Sequence, residues 1–228
     1  MTLAYRYGTK LALSRAEVEK YFDAEWEQLS DEEKAYYLKT CDEIYSAPTA
    51  AERAHAKALL DRAPVPVRYH EAMMTSGGGA FVPSLEAVYF SSKGKEQPAL
   101  VAHELGHATF HKTPLGRVTQ SDMALRGLSV GSALAPLSGF LAPPGAASAV
   151  VPLVHTAVAH GPSYYSEHEA WRRGRKDFHA LSPTEEEKLR FEAVRDSALK
   201  TYRSAAVTTL VRALIGAGVR AGYDHLVK

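Results

Sequence analysis

The sequence predicts an α+β fold that is mainly helical, with a small β-sheet placed just before one buried helix. Helix-start patterns carry the first part of this prediction, because a hydroxyl residue followed three positions later by Glu is typical of a capped helix N-terminus. Residues 1–62 contain three such patterns: Ser14 with Glu17, Ser30 with Glu33, and Thr49 with Glu52. We therefore expect three N-terminal helices.

The β-sheet is predicted from residue 63 onward, where the pattern of the chain changes. Pro64 and Pro66 disfavour a helix, and apolar residues then alternate with polar ones over 65–70. A run of three glycines follows, and after it come two further short apolar segments typical of strands, 80–82 and 87–90. Such a sheet either holds an extended substrate by its edge or is a plain structural element, and both interpretations stay open.

The next segment carries the most informative motif, His103-Glu104-Leu105-Gly106-His107, inside an apolar run. Positions i and i+4 share one face of a helix, so His103 and His107 can bind one zinc ion while Glu104 reaches the water beside it. The apolar neighbours predict a buried helix, in which two histidines and a glutamate need partners. This HExxH motif therefore predicts a zincin-like metallopeptidase site.

A catalytic zinc ion takes three protein ligands, so the two histidines need a third. His111 continues the i+4 series, but it lies too far along the helix axis from His103, at about 1.5 Å of rise per residue. The metzincin pattern requires Gly and His at two later positions, where this chain has Phe110 and Thr113, so that class is excluded. The third ligand must come from another part of the chain.

The next dense group of candidate ligands is the segment 163–173, which includes Glu167 and Glu169 on a helix expected to begin near Pro162. HELGH, then an apolar hairpin-like stretch, then Glu-x-Glu-Ala together resemble the gluzincin peptidases of the HtpX and CAAX prenyl endopeptidase type. The resemblance covers roughly residues 77–177. It implies that Glu167, the first Glu of the second motif, is the third zinc ligand.

One position departs from that family pattern. Where the family has Asp after Glu-x-Glu-Ala, this chain has Trp171, so the carboxylate that would orient a zinc-binding histidine is missing from that place. Glu169, Asp177 or a backbone carbonyl are the candidates to replace it. Glu169 also stays open as an alternative ligand, although the register of the motif favours Glu167.

These residues predict a zinc metalloendopeptidase that hydrolyses peptide bonds of protein or peptide substrates. In this hypothesis Zn²⁺ is held by His103, His107 and Glu167, and Glu104 is the general base. A donor for the oxyanion is also needed, and the candidate transition-state stabilisers are Tyr165, His168 and Arg172, with Tyr164, His155 and His160 as further candidates. The alternative hypothesis is a non-catalytic, metal-stabilised module that binds a protein or a membrane.

A long stretch without charge follows the HExxH helix. Between Arg126 and Glu167 the sequence contains no Lys, Arg, Asp or Glu, and prolines divide it into pieces such as 127–141 and 146–160. Each piece is shorter than the roughly 20 residues of a membrane-spanning helix. Three interpretations remain open: a buried core hairpin, a re-entrant or interfacial membrane segment, and a surface that docks on a partner. Peripheral membrane contact is thus one interpretation of 127–160, and equally of the apolar stretch 205–219.

The C-terminal part opens with a further helix-start pattern. Ser182 can cap, Pro183 fits the first helical position, and Glu185 completes a capping box. We expect a long helix to begin there, which either continues or breaks before residue 205.

Composition narrows the classes of partner and compartment. The chain of 228 residues has 27 Lys plus Arg against 26 Asp plus Glu, a balance that argues against a nucleic-acid partner. The single Cys41 excludes an intramolecular disulfide, and residues 1–20 lack the apolar core of a signal peptide. We expect a cytoplasmic protein, membrane-associated in one interpretation of its apolar segments. Its predicted units are a helical segment, 1–62, and a zincin-like catalytic domain, 63–228, with an apolar insert at 127–166.

Overall fold

The computed structural model describes residues 15–44, 47–142 and 147–227. Its first three helices are α1 (Arg15–Glu27), α2 (Asp31–Ile44) and α3 (Ala50–Asp61). At the start of α3, Thr49 Oγ1 accepts the Glu52 N–H at 3.1 Å while the Glu52 carboxylate accepts the Thr49 N–H at 2.7 Å. The pair Ser30 and Glu33 forms the same reciprocal bonds before α2. Both predicted capping boxes are confirmed, whereas the predicted cap Ser14 lies outside the described residues.

A small three-stranded sheet follows, as the sequence predicts. Its strands are β1 (Val67–Tyr69), β2 (Gly79–Val82) and β3 (Ala87–Phe90), in the spatial order β1-β3-β2. Strand β3 pairs in parallel with β1 and antiparallel with β2, with Phe81 opposite Val88. Short 3₁₀ turns at Glu71–Ser76, Pro83–Leu85 and Gly94–Glu96 connect these elements. Because β3 is central, β2 has a free edge, and that edge faces the next helix.

Helix α4 (Pro98–His111) carries the HExxH motif through the centre of the molecule. Pro98 stands in its first turn, where a missing N–H breaks no intrahelical bond. Its residues Leu100, Val101 and Leu105 share one core with α3, the sheet and the helices that follow. The prediction of a buried HExxH helix is confirmed. The short helix α5 (Pro114–Thr119) then turns the chain back towards the end of α4.

Three long helices complete the molecule: α6 (Asp122–Phe140), α7 (Ala147–His179) and α8 (Glu185–Val227). The expectation that a new helix begins near Pro162 is wrong, because α7 runs without interruption through Pro152 and Pro162. Each proline removes one hydrogen bond, but the remaining bonds and the packing against α4, α6 and α8 keep the helix continuous. Helix α8 likewise continues through residue 205 without a break.

The start of α8 differs from the sequence prediction by two residues. Ser182 adopts a left-handed backbone with φ of 58°, which is not the extended geometry of an N-cap. The box is formed instead by Thr184 and Glu187: Thr184 Oγ1 accepts the Glu187 N–H at 3.2 Å, and the Glu187 carboxylate accepts the Thr184 N–H at 2.7 Å. Two overlapping Ser/Thr-x-x-Glu patterns are present in the sequence, and the turn before the helix selects the second.

Candidate metal centre

Two histidines of α4 point to the same place. His103 and His107 are one helical turn apart, and their Nε2 atoms lie 3.2 Å from each other. The side chain of His103 is only 10% exposed and that of His107 only 12%, so both rings sit inside the protein. The i, i+4 spacing thus produces the local geometry that the motif predicts.

Glu167 reaches these histidines from α7. Its Oε2 lies 3.2 Å from His103 Nε2, and its Oε1 lies 3.3 Å from His107 Nε2. Among the described residues, these three form the group of His, Cys, Asp and Glu side chains whose ligand atoms all lie within 4.8 Å of one another. The buried cluster could hold a metal ion.

Two glycines allow α7 to approach α4 closely enough for this contact. A Cβ on Gly106, the glycine of HELGH, would overlap the carbonyl of Ala170 on α7. In the same way a Cβ on Gly174 of α7 would overlap the carbonyl of Ala102 on α4. Because the two backbones touch at these points, any larger residue would push Glu167 away from the histidines.

His107 and Glu167 shift each other's pKa values in opposite directions. Burial alone would raise the pKa of Glu167, but the charge of His107 and hydrogen bonds from His103 and His107 hold that pKa well below its ordinary value. For His107 the order is similar: burial would lower its pKa, and the Glu167 carboxylate more than offsets this and raises it. The carboxylate is therefore ionised at neutral pH, as a metal ligand must be.

Glu104 lies beside the cluster without joining it. Its Oε1 is 3.9 Å from His103 Nε2, while its Oε2 accepts the backbone N–H of Phe81 at 2.7 Å. Phe81 belongs to β2, and its side chain and that of Glu104 are both buried. Strand β2 thus fixes the position of the carboxylate that the motif predicts to be the general base.

Gln120, just after α5, contacts the outer nitrogen of His107. Its side-chain amide lies 2.9 Å from His107 Nδ1, 3.1 Å from His111 Nδ1 and 3.1 Å from Ser166 Oγ. The amide nitrogen faces His107 Nδ1 and the amide oxygen faces His111 Nδ1. If His107 binds a metal through Nε2, its Nδ1 carries a proton, and a flipped amide offers its oxygen as the acceptor. Gln120 thus restrains the His107 ring through its Nδ1 atom and links it to His111.

His103 is oriented differently, by an aromatic ring. The indole of Trp171 stacks on the His103 ring with a centroid distance of 4.2 Å and an interplanar angle of 25°. His103 Nδ1 is buried and has no hydrogen-bond partner among residues 15–44, 47–142 and 147–227. The three proposed substitutes for the missing aspartate do not fill this place. Packing by Trp171 restrains the imidazole where the resemblance implies a carboxylate.

Tyr202, like Gln120, is a residue at the site that the sequence analysis does not identify. It lies on α8, is partly buried, and its hydroxyl is close enough to Glu167 to interact with the carboxylate. Burial is the main cause that raises the pKa of Tyr202 well above its ordinary value, and the charge of Glu167 adds to it. The hydroxyl therefore stays protonated beside Glu167. No motif spacing predicts Tyr202, because it lies on another helix, 35 residues after Glu167 in the sequence.

The other predicted site residues lie in different surroundings. The Glu169 carboxylate receives two hydrogen bonds from Arg172, at 2.7 and 2.8 Å, and lies 3.5 Å from Arg173. His168 is exposed, and Tyr165 is 42% exposed with its ring edge-on to Phe110.

The remaining three candidates are engaged away from the cluster. Tyr164 accepts a hydrogen bond from Arg203 at 3.2 Å. His155 lies 2.7 Å from the Gly131 carbonyl oxygen, and His160 lies 2.7 Å from Thr209 Oγ1. Of all the candidate residues, the structure brings together His103, Glu104, His107 and Glu167.

Comparisons with known proteins add no family to this geometry. No protein-family model matches the chain, and neither the curated proteins nor the solved structures contain a match. The site must be interpreted from its own chemistry.

Proposed function

We propose that the protein is a zinc-dependent endopeptidase of the gluzincin kind. The observation that carries this proposal is the convergence of His103, His107 and Glu167 on one point, with Glu104 beside them and outside the ligand set. A structural metal site needs ligands only. A buried carboxylate next to the ligands, held by the edge of a sheet, is what hydrolysis of a peptide bond additionally requires.

The donor set and its spacing support zinc in particular. For a tetrahedral zinc ion with ligand distances of about 2.0–2.1 Å, neighbouring donor atoms lie about 3.3–3.4 Å apart. The two Nε2 atoms lie 3.2 Å apart; Glu167 Oε2 lies 3.2 Å from His103 Nε2 and Glu167 Oε1 lies 3.3 Å from His107 Nε2, so a different carboxylate oxygen faces each histidine. Two imidazoles and one carboxylate also leave a fourth position for water or substrate, the arrangement of catalytic zinc sites. A zinc ion bound there supplies Lewis acidity, which activates water and polarises a peptide carbonyl.

Glu104 is the proposed general base. Its Oε1 faces the cluster, because Oε2 is occupied by the Phe81 N–H. This single hydrogen bond fixes the direction from which the carboxylate takes a proton from the attacking water and returns it to the leaving amine. The contact also links the base to strand β2, so the position of Glu104 depends on the sheet.

Tyr202 is the proposed donor to the developing oxyanion. Its hydroxyl lies at the Glu167 carboxylate and stays protonated, so it can donate a hydrogen bond to an oxygen that gains negative charge beside the cluster. The sequence hypothesis assigned this role to Tyr165, His168 or Arg172. Arg172 is paired with the Glu169 carboxylate, so Tyr202 is the better-placed donor.

The decisive experiment is Glu104→Gln, compared with wild type and with Glu185→Gln, a change at an exposed carboxylate on α8. The amide oxygen of the introduced glutamine can still accept the Phe81 N–H, so the site keeps its geometry while the base is lost. We expect about one bound zinc per chain in all three proteins. We expect cleavage of an unfolded protein substrate by wild type and Glu185→Gln, and a loss of at least about 10³-fold in Glu104→Gln.

Two results would contradict the proposal. Undiminished cleavage by Glu104→Gln would show that the activity does not belong to this site. Stoichiometric zinc in a wild type that cleaves none of a broad set of unfolded proteins and peptides would favour the alternative, a metal-stabilised binding module.

A further inference from the structure

The three long helices form a unit with apolar side chains on its outside. We define its apolar band as residues 130–141, which are the C-terminal part of α6 and the residue after it, with 150–158 of α7 and 207–219 of α8. Large aliphatic residues recur every three or four positions in each segment and are strongly exposed; the most exposed are Leu141 at 64%, Val158 at 70% and Ile215 at 60%. Each helix therefore presents one aliphatic stripe outward.

The interior of the same unit is built from small residues. A Cβ on Gly139 of α6 would overlap the Ala213 carbonyl of α8, and a Cβ on Gly216 of α8 would overlap the Pro136 carbonyl of α6. A Cβ on Gly131 would likewise crowd Ala159 of α7. The helices are thus held together by close backbone contact at small residues, the packing mode common between helices in lipid.

Polar side chains also lie inside this unit. His160 is buried, with Nε2 2.7 Å from Thr209 Oγ1 and 3.2 Å from Ser132 Oγ, so one histidine joins all three helices. His155 Nε2 lies 2.7 Å from the Gly131 carbonyl oxygen. This unit combines buried polar side chains with exposed large aliphatic ones, whereas a water-soluble bundle buries most of its large aliphatic residues.

The distribution of the band selects a bilayer over a protein partner. Helices α6, α7 and α8 each pack against the other two, so their outward stripes face in different directions. A protein partner covers one side of such a unit, whereas hydrocarbon surrounds it. The stretch of α8 within Glu185–His225 is long and apolar enough to cross a membrane by length and composition, and only 18% of its most apolar window is buried. A core helix of a soluble protein would be mostly buried.

Charged residues bound the band on α8. Arg203 precedes it and Arg220, paired with Asp224 at 2.9 Å, follows it. The 17-residue separation corresponds to about 25 Å of helix, close to the roughly 30 Å thickness of the hydrocarbon region. Arg212 lies midway between them and its side chain is exposed. An arginine at the centre of a bilayer costs free energy, which the aliphatic residues of the three segments must outweigh.

We propose that the apolar band is immersed in the hydrocarbon region of a lipid bilayer. Tyr202 precedes Val207 by five residues, about 7 Å along α8, so the candidate metal site then lies at the membrane surface. The immersion itself does not depend on the site being catalytic. If the proposed function holds as well, the substrates are polypeptide segments presented at a membrane surface.

The test uses the full chain reconstituted with vesicles of phosphatidylcholine and phosphatidylglycerol. We compare wild type, the double variant Val158→Glu/Ile215→Glu, and the control Leu189→Glu, which changes a residue that is 71% exposed on α8 outside the band. We expect wild type and the control to float with the vesicles and to resist a carbonate wash. The double variant should lose at least about tenfold in the floated fraction. Circular dichroism checks that helix content is unchanged.

A second measurement detects immersion with variants that add no charge to the band. An environment-sensitive fluorophore attached to a cysteine introduced by Val154→Cys or Leu137→Cys, in a Cys41→Ser background, should shift to the blue in vesicles and be quenched by lipid-borne quenchers. The same fluorophore on Leu189→Cys should do neither. The proposal is overturned if wild type stays unbound as a dispersed monomer, or if the band positions are protected without lipid in a stable oligomer. It is equally overturned if the double variant floats as well as wild type. None of these readouts uses peptidase activity, so the proposed function can fail or stand independently.

Discussion

At the scale of single residues, Tyr202 is the clearest example of a site residue that the sequence motifs do not include. It approaches Glu167 from α8, whereas the HExxH motif and the Glu-x-Glu-Ala motif lie on α4 and α7. In the proposed function, a phenol that stays protonated beside the ligand cluster would act on the oxyanion without being a ligand. Its effect should therefore appear in the rate of the chemical step.

We expect Tyr202→Phe to lower kcat about 10²-fold while KM and bound zinc change little, because one hydrogen bond to the transition state is lost. Tyr165→Phe is the matched control, since Tyr165 is 42% exposed on the other side of α7. Steady-state kinetics and metal analysis on both variants check this. Equal losses in the two variants, or a loss of zinc in Tyr202→Phe, would contradict the assigned role.

Trp171 shows how a residue that departs from a family pattern can still restrain the site. Its ring stacks on His103 at 4.2 Å, so dispersion and shape fix the imidazole plane. A stacked ring accepts no proton from Nδ1, whereas a carboxylate would. The two histidines thus have different supports: Trp171 for His103 and the Gln120 amide for His107.

At the scale of elements, the crossing of α4 and α7 determines whether a third ligand exists. Gly106 and Gly174 each face the backbone of the opposite helix at this crossing. The separation of the two helix axes is thereby set by glycine, and Glu167 reaches both histidines as a result.

Gly106→Ala should lower the free energy of unfolding by about 1–3 kcal/mol and weaken zinc binding, because the new methyl group forces α7 away from α4. Gly218→Ala on α8 is the control. Nothing lies within 4 Å of a Cβ there, so the change should stabilise the helix by about 0.5–1 kcal/mol and leave zinc affinity unchanged. Denaturant unfolding and zinc titration measure both quantities. A Gly106→Ala protein with wild-type affinity would refute the close-contact explanation.

The start of α8 offers a test of the capping register. Thr184→Ala should cost about 1 kcal/mol at pH 7, because the Glu187 N–H loses its acceptor and Glu187 loses a donor. Ser182→Ala should change stability far less, whereas the sequence prediction of a Ser182 cap implies the opposite ranking. Thermal unfolding of the two variants ranks them directly.

The contribution of this box depends on pH in a definite direction. Burial would raise the pKa of Glu187, but the Thr184 N–H and hydroxyl and the nearby His55 lower it below its ordinary value of 4.5. A lowered folded-state pKa gives stability that is present above pH 4.5 and is lost as the pH falls through the folded-state pKa. The difference between wild type and Thr184→Ala should therefore shrink in acid. A difference that grows below that pH would contradict this assignment.

At the scale of the whole molecule, a bound metal would connect two helices that belong to the main core. Helix α4 lies within that core and α7 packs along it, so binding adds its free energy to the folded state only. With zinc at about 100 times its Kd this amounts to about 2.7 kcal/mol.

Removing zinc with a chelator should consequently lower Tm by roughly 5–10 °C, given about 2–4 °C per kcal/mol for a chain of this size. Glu104→Gln should keep this shift, since Glu104 is outside the ligand set, and Glu167→Gln should lose most of it. Differential scanning calorimetry with and without chelator provides the comparison. A Tm that is insensitive to chelator in wild type would exclude the His103, His107 and Glu167 cluster as a zinc site.

The sequence by itself predicted the elements whose causes are local. Helix starts at Ser30 and Thr49 depend on a residue and the one three positions later, and the short strands depend on alternation, so both could be read directly from the chain. The pairing of His103 with His107 is local too, because the helix repeat places them on one face. Glu167 came from a motif resemblance, and the fold then placed it against both histidines.

Only the tertiary structure decided the features that depend on contacts between distant segments. The continuity of α7 through Pro162 depends on packing that outweighs two lost hydrogen bonds, and no single-residue preference reveals it. Tyr202, Gln120 and the stacking of Trp171 on His103 all come from other elements reaching the site. The direction in which the apolar residues of 130–141 and 207–219 face was equally undetermined. Periodicity shows that a helix has an apolar stripe, whereas the small residues at the helix contacts decide whether that stripe faces in or out.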